Sequence, residues 1–144
     1  MEKGDLAVWM DDRIVVVLEG VLASIPEPEI HKSGVFGRNR TVEWVDADHW
    51  MWSHYAVKQI NDKAYRLNVS IDVVTFLSPD VADLAAEWML KYDVRVSGVE
   101  YSDFDMFCQS LSWRPSIHHV VDTDPRRLAG YGIRAYETHW NGIF

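Results

Sequence analysis

The sequence is poor in cysteine, since Cys108 is the only thiol among 144 residues. A single cysteine cannot form an intramolecular disulfide, which argues against a disulfide-stabilised secreted domain and suits a reducing compartment. No stretch approaches the roughly 18 apolar residues that a membrane-spanning helix requires. The first residues, Met1 to Asp5, lack the basic and apolar regions of a secretory signal. We therefore expect a cytoplasmic protein with no membrane association.

The sequence also lacks a cluster of basic residues. Lys and Arg number 14 against 22 Asp and Glu, which gives a formal net charge of −8. Nucleic-acid phosphates are bound by grouped Lys and Arg, so general nucleic-acid binding is not expected. Hydrophobic residues make up 48% of the chain, enough for a packed core. Because no repeat or linker is visible, we predict a single domain over residues 1–144.

Apolar, β-branched runs alternate with amphipathic stretches along the chain. The run from Arg13 to Glu19 is continuously apolar in its centre, which is typical of a strand buried on both faces of a parallel sheet. Ser78, Pro79 and Asp80 are residue types that begin a helix. We predict strands at 13–19, 71–77, 94–96, 117–121 and 133–136, and helices at 49–67, from 79 onward and at 103–111.

This order of elements predicts an α/β protein with a three-layer, Rossmann-like architecture, in which helices cover both faces of a parallel sheet. Residues 24–45 are rich in Pro, Gly and charge and predict a loop or hairpin inserted after the first strand. Ligands of such sheets bind beyond the carboxyl ends of the strands. That places Glu19, Gly20, Ser78 and the segment 122–124 along one edge.

Three of these strand ends resemble the motifs of the haloacid dehalogenase (HAD) superfamily. Those enzymes begin with a strand that ends in Asp-x-Asp-Gly-(Thr/Val)-Leu, and the corresponding residues here, 17–22, are Val-Leu-Glu-Gly-Val-Leu. The family's second strand ends in Ser or Thr, where Ser78 stands. Its fourth strand ends in an acidic cluster, matched by Asp122 and Asp124, and a basic residue precedes that strand, for which Arg114 is the candidate.

The resemblance covers about residues 13–136 and implies a HAD-like fold without a large cap domain. Residues 24–45 would then form the flap that follows the first motif. The chain is similar in style to small capless proteins of this kind from bacteriophages of actinobacteria. An alternative acidic pair, Asp11 and Asp12, precedes the first strand and would lie at the opposite edge of the sheet.

The resemblance also implies a loss of the family's chemistry. In the family, the first aspartate attacks a phosphoryl group and binds Mg²⁺, and the second acts as acid and base. Val17 can neither attack a phosphoryl group nor bind Mg²⁺. The loss of a nucleophile costs on the order of 10⁴ to 10⁶ in rate. Glu19 is longer by one methylene than the acid it replaces, and a displacement of about 1 Å can cost ~100-fold. We predict that no catalytic residue remains among the degenerate motif positions Val17, Glu19, Ser78, Arg114 and Asp122.

We therefore expect a catalytically degenerate domain that binds or regulates a protein partner, and for a phage-encoded chain the expected partner is a host protein. Seven tryptophans either fill the core or, where exposed, mark such a partner surface. Self-association through the aromatic C-terminal tail, as a homo-oligomer, stays open. No cofactor is expected for this function.

Two alternatives also stay open. The first is an Mg²⁺-dependent phosphohydrolase that acts through water, with Glu19, Asp122 and Asp124 as metal ligands. The second is a noncatalytic phosphate or nucleotide binder that uses Arg114 and the helix start at Ser78. The sequence Asp122 to Pro125 is also ordinary turn and helix-cap chemistry, which favours neither alternative.

Overall fold

The structure, a computed structural model, describes residues 13–67, 69–112, 117–124, 126–129 and 135–136. Its strands are β1 (Arg13–Val17), β2 (Ala23–Ser24), β3 (Glu29–Ser33), β4 (Asn39–Glu43), β5 (Met51–Trp52), β6 (Ser70–Thr75), β7 (Gly98–Tyr101), β8 (Ile117–Val121) and β9 (Ala135–Tyr136). Its α-helices are α1 (His54–Leu67), α2 (Pro79–Lys91), α3 (Phe104–Ser112) and α4 (Arg126–Ala129). None of the helices among these described residues has the length and apolar sequence needed to cross a bilayer.

Five of the strands form one sheet in the order β7-β6-β1-β8-β9, and every neighbouring pair in it is parallel. β1 lies at its centre, and no residue from Ile14 to Val17 is more than 4% exposed. Because neighbouring side chains of a strand point to opposite faces, this continuous burial means that both faces of β1 are covered. The predicted α/β class, with a parallel sheet flanked by helices, is confirmed.

The start of α2 follows the sequence prediction. The hydroxyl of Ser78 accepts a hydrogen bond from the backbone N–H of Asp80 at 3.0 Å, and Pro79 occupies the first turn. One of the donors at the helix start, which lack partners within the helix, is thereby satisfied. Val81, Ala85 and other small apolar residues of the helix are then buried against the core.

The helix predicted at 49–67 is present, but its predicted start at residue 49 is wrong. α1 begins at His54, after Ser53, whose hydroxyl accepts a hydrogen bond from the backbone N–H of Ala56 at 3.2 Å. Residues 51–52 instead form β5, which pairs antiparallel with β2. The apolar stripe continues on both sides of this boundary, so the periodicity alone did not reveal where the helix begins.

The prediction of a third strand at 94–96 is also wrong. The backbone N–H of Val94 donates to the carbonyl oxygen of Met89 at 2.9 Å, so this apolar stretch closes α2 and leads back to the sheet. β7 begins at Gly98, which pairs with Asp72 of β6. β7 has no buried residue, because it pairs with a strand on one side only, and its sequence therefore lacks a continuous apolar run.

The predicted insertion at 24–45 contains an antiparallel hairpin formed by β3 and β4. The chain returns from it through Trp50 and Trp52, whose indole N–H groups donate to backbone carbonyl oxygens of residues 45 and 47. Trp52 stacks on Trp88 of α2, with ring centroids 3.7 Å apart. Since Trp50 is buried as well, these three tryptophans anchor the insertion to the domain and do not form an exposed surface.

Candidate functional site at the carboxyl ends of the strands

The connections of the sheet change side at β1. From β1 the chain continues to β6 and β7 on one side of the sheet, and later to β8 and β9 on the other. In doubly wound sheets, ligands bind in the crevice that this reversal leaves at the carboxyl ends of the strands. Here that position falls between the ends of β1 and β8, next to Glu19, Gly20, Asp122 and Thr123.

Val17, the last residue of β1, is fully buried. It pairs in register with Val74 of β6, and both side chains belong to the hydrophobic core. The position at which the HAD resemblance requires an attacking aspartate is therefore a core position of the central strand. Its side chain has no chemistry to contribute and no access to solvent.

Glu19 lies in the turn after β1, and its carboxylate is held by the end of β6. The hydroxyl of Thr75 donates to Oε2 at 2.7 Å, and the backbone N–H of Phe76 donates to Oε1 at 2.8 Å. The Thr75 hydroxyl in turn accepts a hydrogen bond from the backbone N–H of Leu77 at 3.2 Å. Glu19 thus connects the turn after β1 to the loop after β6.

Asp122 follows β8, and its carboxylate is paired with an arginine of α4. Arg127 donates from Nε to Oδ2 at 2.6 Å and from a terminal guanidinium nitrogen to Oδ1 at 2.9 Å. Such bidentate contacts are among the strongest arginine–carboxylate pairs. Asp122 has no exposed side-chain surface, whereas the Arg127 side chain is 36% exposed. The pair therefore closes the end of β8 from the solvent side.

Aromatic rings also hold the Arg127 guanidinium in place. Its central carbon lies 4.9 Å from the ring centroid of Phe104 and 5.2 Å from that of Phe76, within the range of a cation–π contact. The hydrogen bond to Asp122, together with the nearby charges of Glu19 and Asp124, raises the pKa of Arg127. This residue is therefore a permanent cation among the acids at the strand ends.

Gly20 lets the turn after β1 approach the turn after β8. Its φ of +93° belongs to a region that residues with a side chain rarely adopt. A Cβ atom added at this position would lie 2.8 Å from Cγ2 and 2.9 Å from Oγ1 of Thr123. The two turns are therefore in close contact at the point where the crevice of a doubly wound sheet would open.

The other predicted site residues that the structure describes, Ser78 and Asp124, make no side-chain hydrogen bond to Glu19 or Asp122 among the described residues. Ser78 lies three residues beyond the end of β6 and serves as the cap of α2. Asp124 is exposed, and its backbone carbonyl accepts a hydrogen bond from the N–H of Arg127 at 3.3 Å. The candidate Arg114, the alternative pair Asp11 and Asp12, and the aromatic tail lie outside the described residues.

Two residues of the cluster, Thr75 and Arg127, were missed by the sequence reasoning. Thr75 is a polar residue at the end of an otherwise apolar strand, a signal that was available but was assigned to Ser78. Arg127 follows Asp122 by five residues at the start of a short helix, and neither periodicity nor spacing shows that its side chain turns back toward the strand.

A separate group of ionisable residues lies on the β3–β4 hairpin. Glu29, His31 and Glu43 place one potential metal-ligand atom each within 4.8 Å of one another, and Nε2 of His31 is 3.1 Å from Glu43. All three side chains are more than half exposed. Since exposed acidic groups commonly lie this close to one another without an ion, we assign no metal site to them.

Replacing Gly20 with alanine is expected to destabilise the protein by about 2 kcal/mol, because the new Cβ combines backbone strain with the clash against Thr123. Urea unfolding followed by circular dichroism measures this change. In the double variant Gly20→Ala/Thr123→Ala, the nearest remaining atom of residue 123 is Cβ at 3.4 Å, so part of the loss should be recovered. An effect of Gly20→Ala that the second substitution does not reduce would contradict the close approach.

Cys108 lies in α3 with no exposed surface, and burial raises the pKa of its thiol. Because the reactive species is the thiolate, alkylation at pH 7.5 is expected to be at least about 100-fold slower in the native protein than in urea. Mass spectrometry after iodoacetamide treatment gives both rates. Fast alkylation of the folded protein would show that the thiol is accessible, against the burial described here.

No protein-family model matches this sequence, and no curated protein matches it. The class of the protein is therefore defined by the structure itself. The chain is an α/β protein with a parallel, Rossmann-like sheet, in which the carboxylates of Glu19 and Asp122 at the strand ends accept hydrogen bonds from its own side chains and backbone.

Proposed function

We propose that the chain is a noncatalytic, HAD-like domain that acts by binding another protein. One observation carries the proposal: all four carboxylate oxygens of Glu19 and Asp122 already accept hydrogen bonds from the protein. Phosphoryl transfer in a HAD-type enzyme needs a carboxylate that can attack phosphorus and a cation that neutralises the developing charge. At these strand ends the attacking carboxylate is replaced by Val17, and the acids are engaged elsewhere.

The Arg127 guanidinium supports this proposal over a magnesium-dependent hydrolase. Mg²⁺ prefers oxygen ligands in near-octahedral geometry at about 2.0–2.1 Å and usually keeps several of its waters. Binding it through Asp122 would place the ion next to the Arg127 guanidinium, whose positive charge repels it, at a carboxylate that has no exposed surface. Displacing Arg127 to make room would leave a buried pair broken. The domain thus carries its own fixed cation at the place where the family would bind a metal.

The three strand-end motifs, in order and on a parallel sheet, support the finer assignment to a capless HAD-like domain. The likeness to small phage proteins makes a host protein the proposed partner, and the single buried thiol suits a cytoplasmic location. A binding role requires no turnover, which accounts for the simultaneous replacement of the nucleophile and the displacement of the general acid.

The proposal is tested by assaying hydrolysis of p-nitrophenyl phosphate and acetyl phosphate with an excess of about 5 mM Mg²⁺, chosen to favour binding by mass action. We expect the wild-type rate to equal that of Asp122→Asn, a variant of the same shape without the charge. Mg²⁺-dependent turnover that is lost in Asp122→Asn would establish the hydrolase instead.

A parallel thermal-shift titration with inorganic phosphate separates the noncatalytic phosphate binder. For each protein, the melting temperature with phosphate is compared with the melting temperature without it, so that the loss of the helix cap in Ser78→Ala does not affect the result. A phosphate-induced rise that is present in the wild type and absent in Ser78→Ala would favour phosphate binding. We expect no such rise.

A further inference from the structure

The β3–β4 hairpin presents a face that is both basic and apolar. All ten residues of its two strands are exposed. Ile30 pairs with Val42, and Lys32 pairs with Arg40. Because side chains alternate along a strand, these four residues share one face, while the acidic residues Glu29 and Glu43 point to the other.

The tip of the hairpin carries further exposed apolar and basic residues. Phe36 is 92% exposed and Val35 is 69% exposed, and Arg38, also exposed, follows them immediately before β4. Large apolar side chains that are grouped on a surface and rimmed by charge mark interaction sites more often than single exposed ones. The hairpin is thus an unpartnered surface with three cations on a chain whose net charge is −8.

The exposed side of α2 carries the complementary charges. Asp80, Asp83 and Glu87 are all exposed and follow one another at spacings of three and four, which places them in one stripe along the helix. Leu90, one turn further on, is 83% exposed. The stripe therefore offers three carboxylates and a terminal apolar side chain, as the hairpin offers three cations and an apolar tip.

We propose that the hairpin of one copy of this chain docks on the α2 stripe of a second copy, and that the second copy returns the same contact. Opposite charges on two surfaces of one chain favour association between copies, and a contact that each copy both gives and receives closes into a two-fold dimer. Among the ion pairs of the described residues, none includes Lys32, Arg38 or Arg40 or the three acids of the stripe. The inference goes beyond the proposed binding function and does not depend on the absence of catalysis.

The test is a charge exchange read by sedimentation velocity. The wild-type chain of 16.7 kDa is expected to sediment as a dimer whose dissociation constant rises with salt. Lys32→Glu/Arg40→Glu and, separately, Asp83→Lys/Glu87→Lys should each raise the dissociation constant at least about tenfold. An equimolar mixture of the two variants should dimerise again, because each hairpin then faces a stripe of opposite charge.

A control matched to the hairpin variant, Lys58→Glu/Arg126→Glu, makes the net charge more negative by the same amount at exposed positions outside both surfaces and should leave the dimer intact. Circular dichroism verifies that each variant is folded, and Lys32→Ala/Arg40→Ala replaces the charge reversal if that variant does not fold. A wild-type chain that stays monomeric at the highest soluble concentration would overturn the inference. So would dimerisation unaffected by both reversals, or a mixture of folded variants that fails to associate.

Discussion

Replacing Arg127 with alanine is expected to lower the free energy of unfolding by about 3 kcal/mol, one of the two largest effects of any substitution considered. The substitution leaves the carboxylate of Asp122, which has no exposed surface, without the partner that occupies both of its oxygens. Removing one member of a buried ion pair typically costs about 3–5 kcal/mol, and the partial exposure of Arg127 places the expected value at the lower end. Urea unfolding measured by tryptophan fluorescence gives the change directly.

Arg126 provides the matched control, because it is the same residue type, lies next to Arg127 and is exposed. Arg126→Ala should change stability by less than about 0.5 kcal/mol. In Arg127→Ala/Asp122→Asn the loss should be smaller than in Arg127→Ala alone, since the group left without a partner is then uncharged. Equal effects of Arg126→Ala and Arg127→Ala would show that the bidentate pair does not stabilise the fold.

Val17→Asp is the second large effect, expected to cost more than about 3 kcal/mol. Position 17 is fully buried in the central strand among core residues, and an unpaired carboxylate is strongly disfavoured there. We also expect no phosphatase activity, because the acids needed around a restored nucleophile remain engaged by Thr75, Phe76 and Arg127. Both expectations are checked on one preparation, by urea unfolding and by hydrolysis of p-nitrophenyl phosphate.

Val17→Thr is the control of matched shape and should cost only about 1–2 kcal/mol, since it adds a single hydroxyl. If Val17→Asp were as stable as the wild type, position 17 would have to be open to solvent or to a partner for the carboxylate. If it gained Mg²⁺-dependent turnover, the strand-end acids would be available for catalysis and the closed site would be contradicted.

The elements that the sequence predicted well are those whose burial is visible in the order of residues. β1 is continuously apolar after Arg13, and β6 and β8 carry buried pairs of valines near their ends, Val73–Val74 and Val120–Val121. The cap of α2 is a local signal in three adjacent residues. β7 was misplaced because an edge strand does not need such a run, and the start of α1 because apolar residues continue through β5.

The location of the candidate site could be predicted from the sequence, but the hydrogen-bond partners of its carboxylates could not. Parallel strands bring their carboxyl ends to one edge, so the neighbourhood of Glu19 and Asp122 followed from the order of strands. The partners did not follow, because Thr75 and Arg127 reach these acids through side-chain directions that no sequence period encodes. The same limit applies to the β3–β4 hairpin and α2. Their charged residues do not stand out in the sequence, and only strand register and exposure show which of them share a surface.

The most direct measurement of a closed strand-end site is a thermal-shift titration of the wild-type protein with Mg²⁺ up to about 10 mM. Any ligand that binds the folded state raises the melting temperature by mass action. Because the carboxylate oxygens of Glu19 and Asp122 all accept hydrogen bonds within the protein, we expect Mg²⁺ to change the melting temperature no more than NaCl of the same ionic strength does. A rise of several degrees that is specific to Mg²⁺ and abolished in Asp122→Asn would contradict the closed site and would make these acids a metal centre.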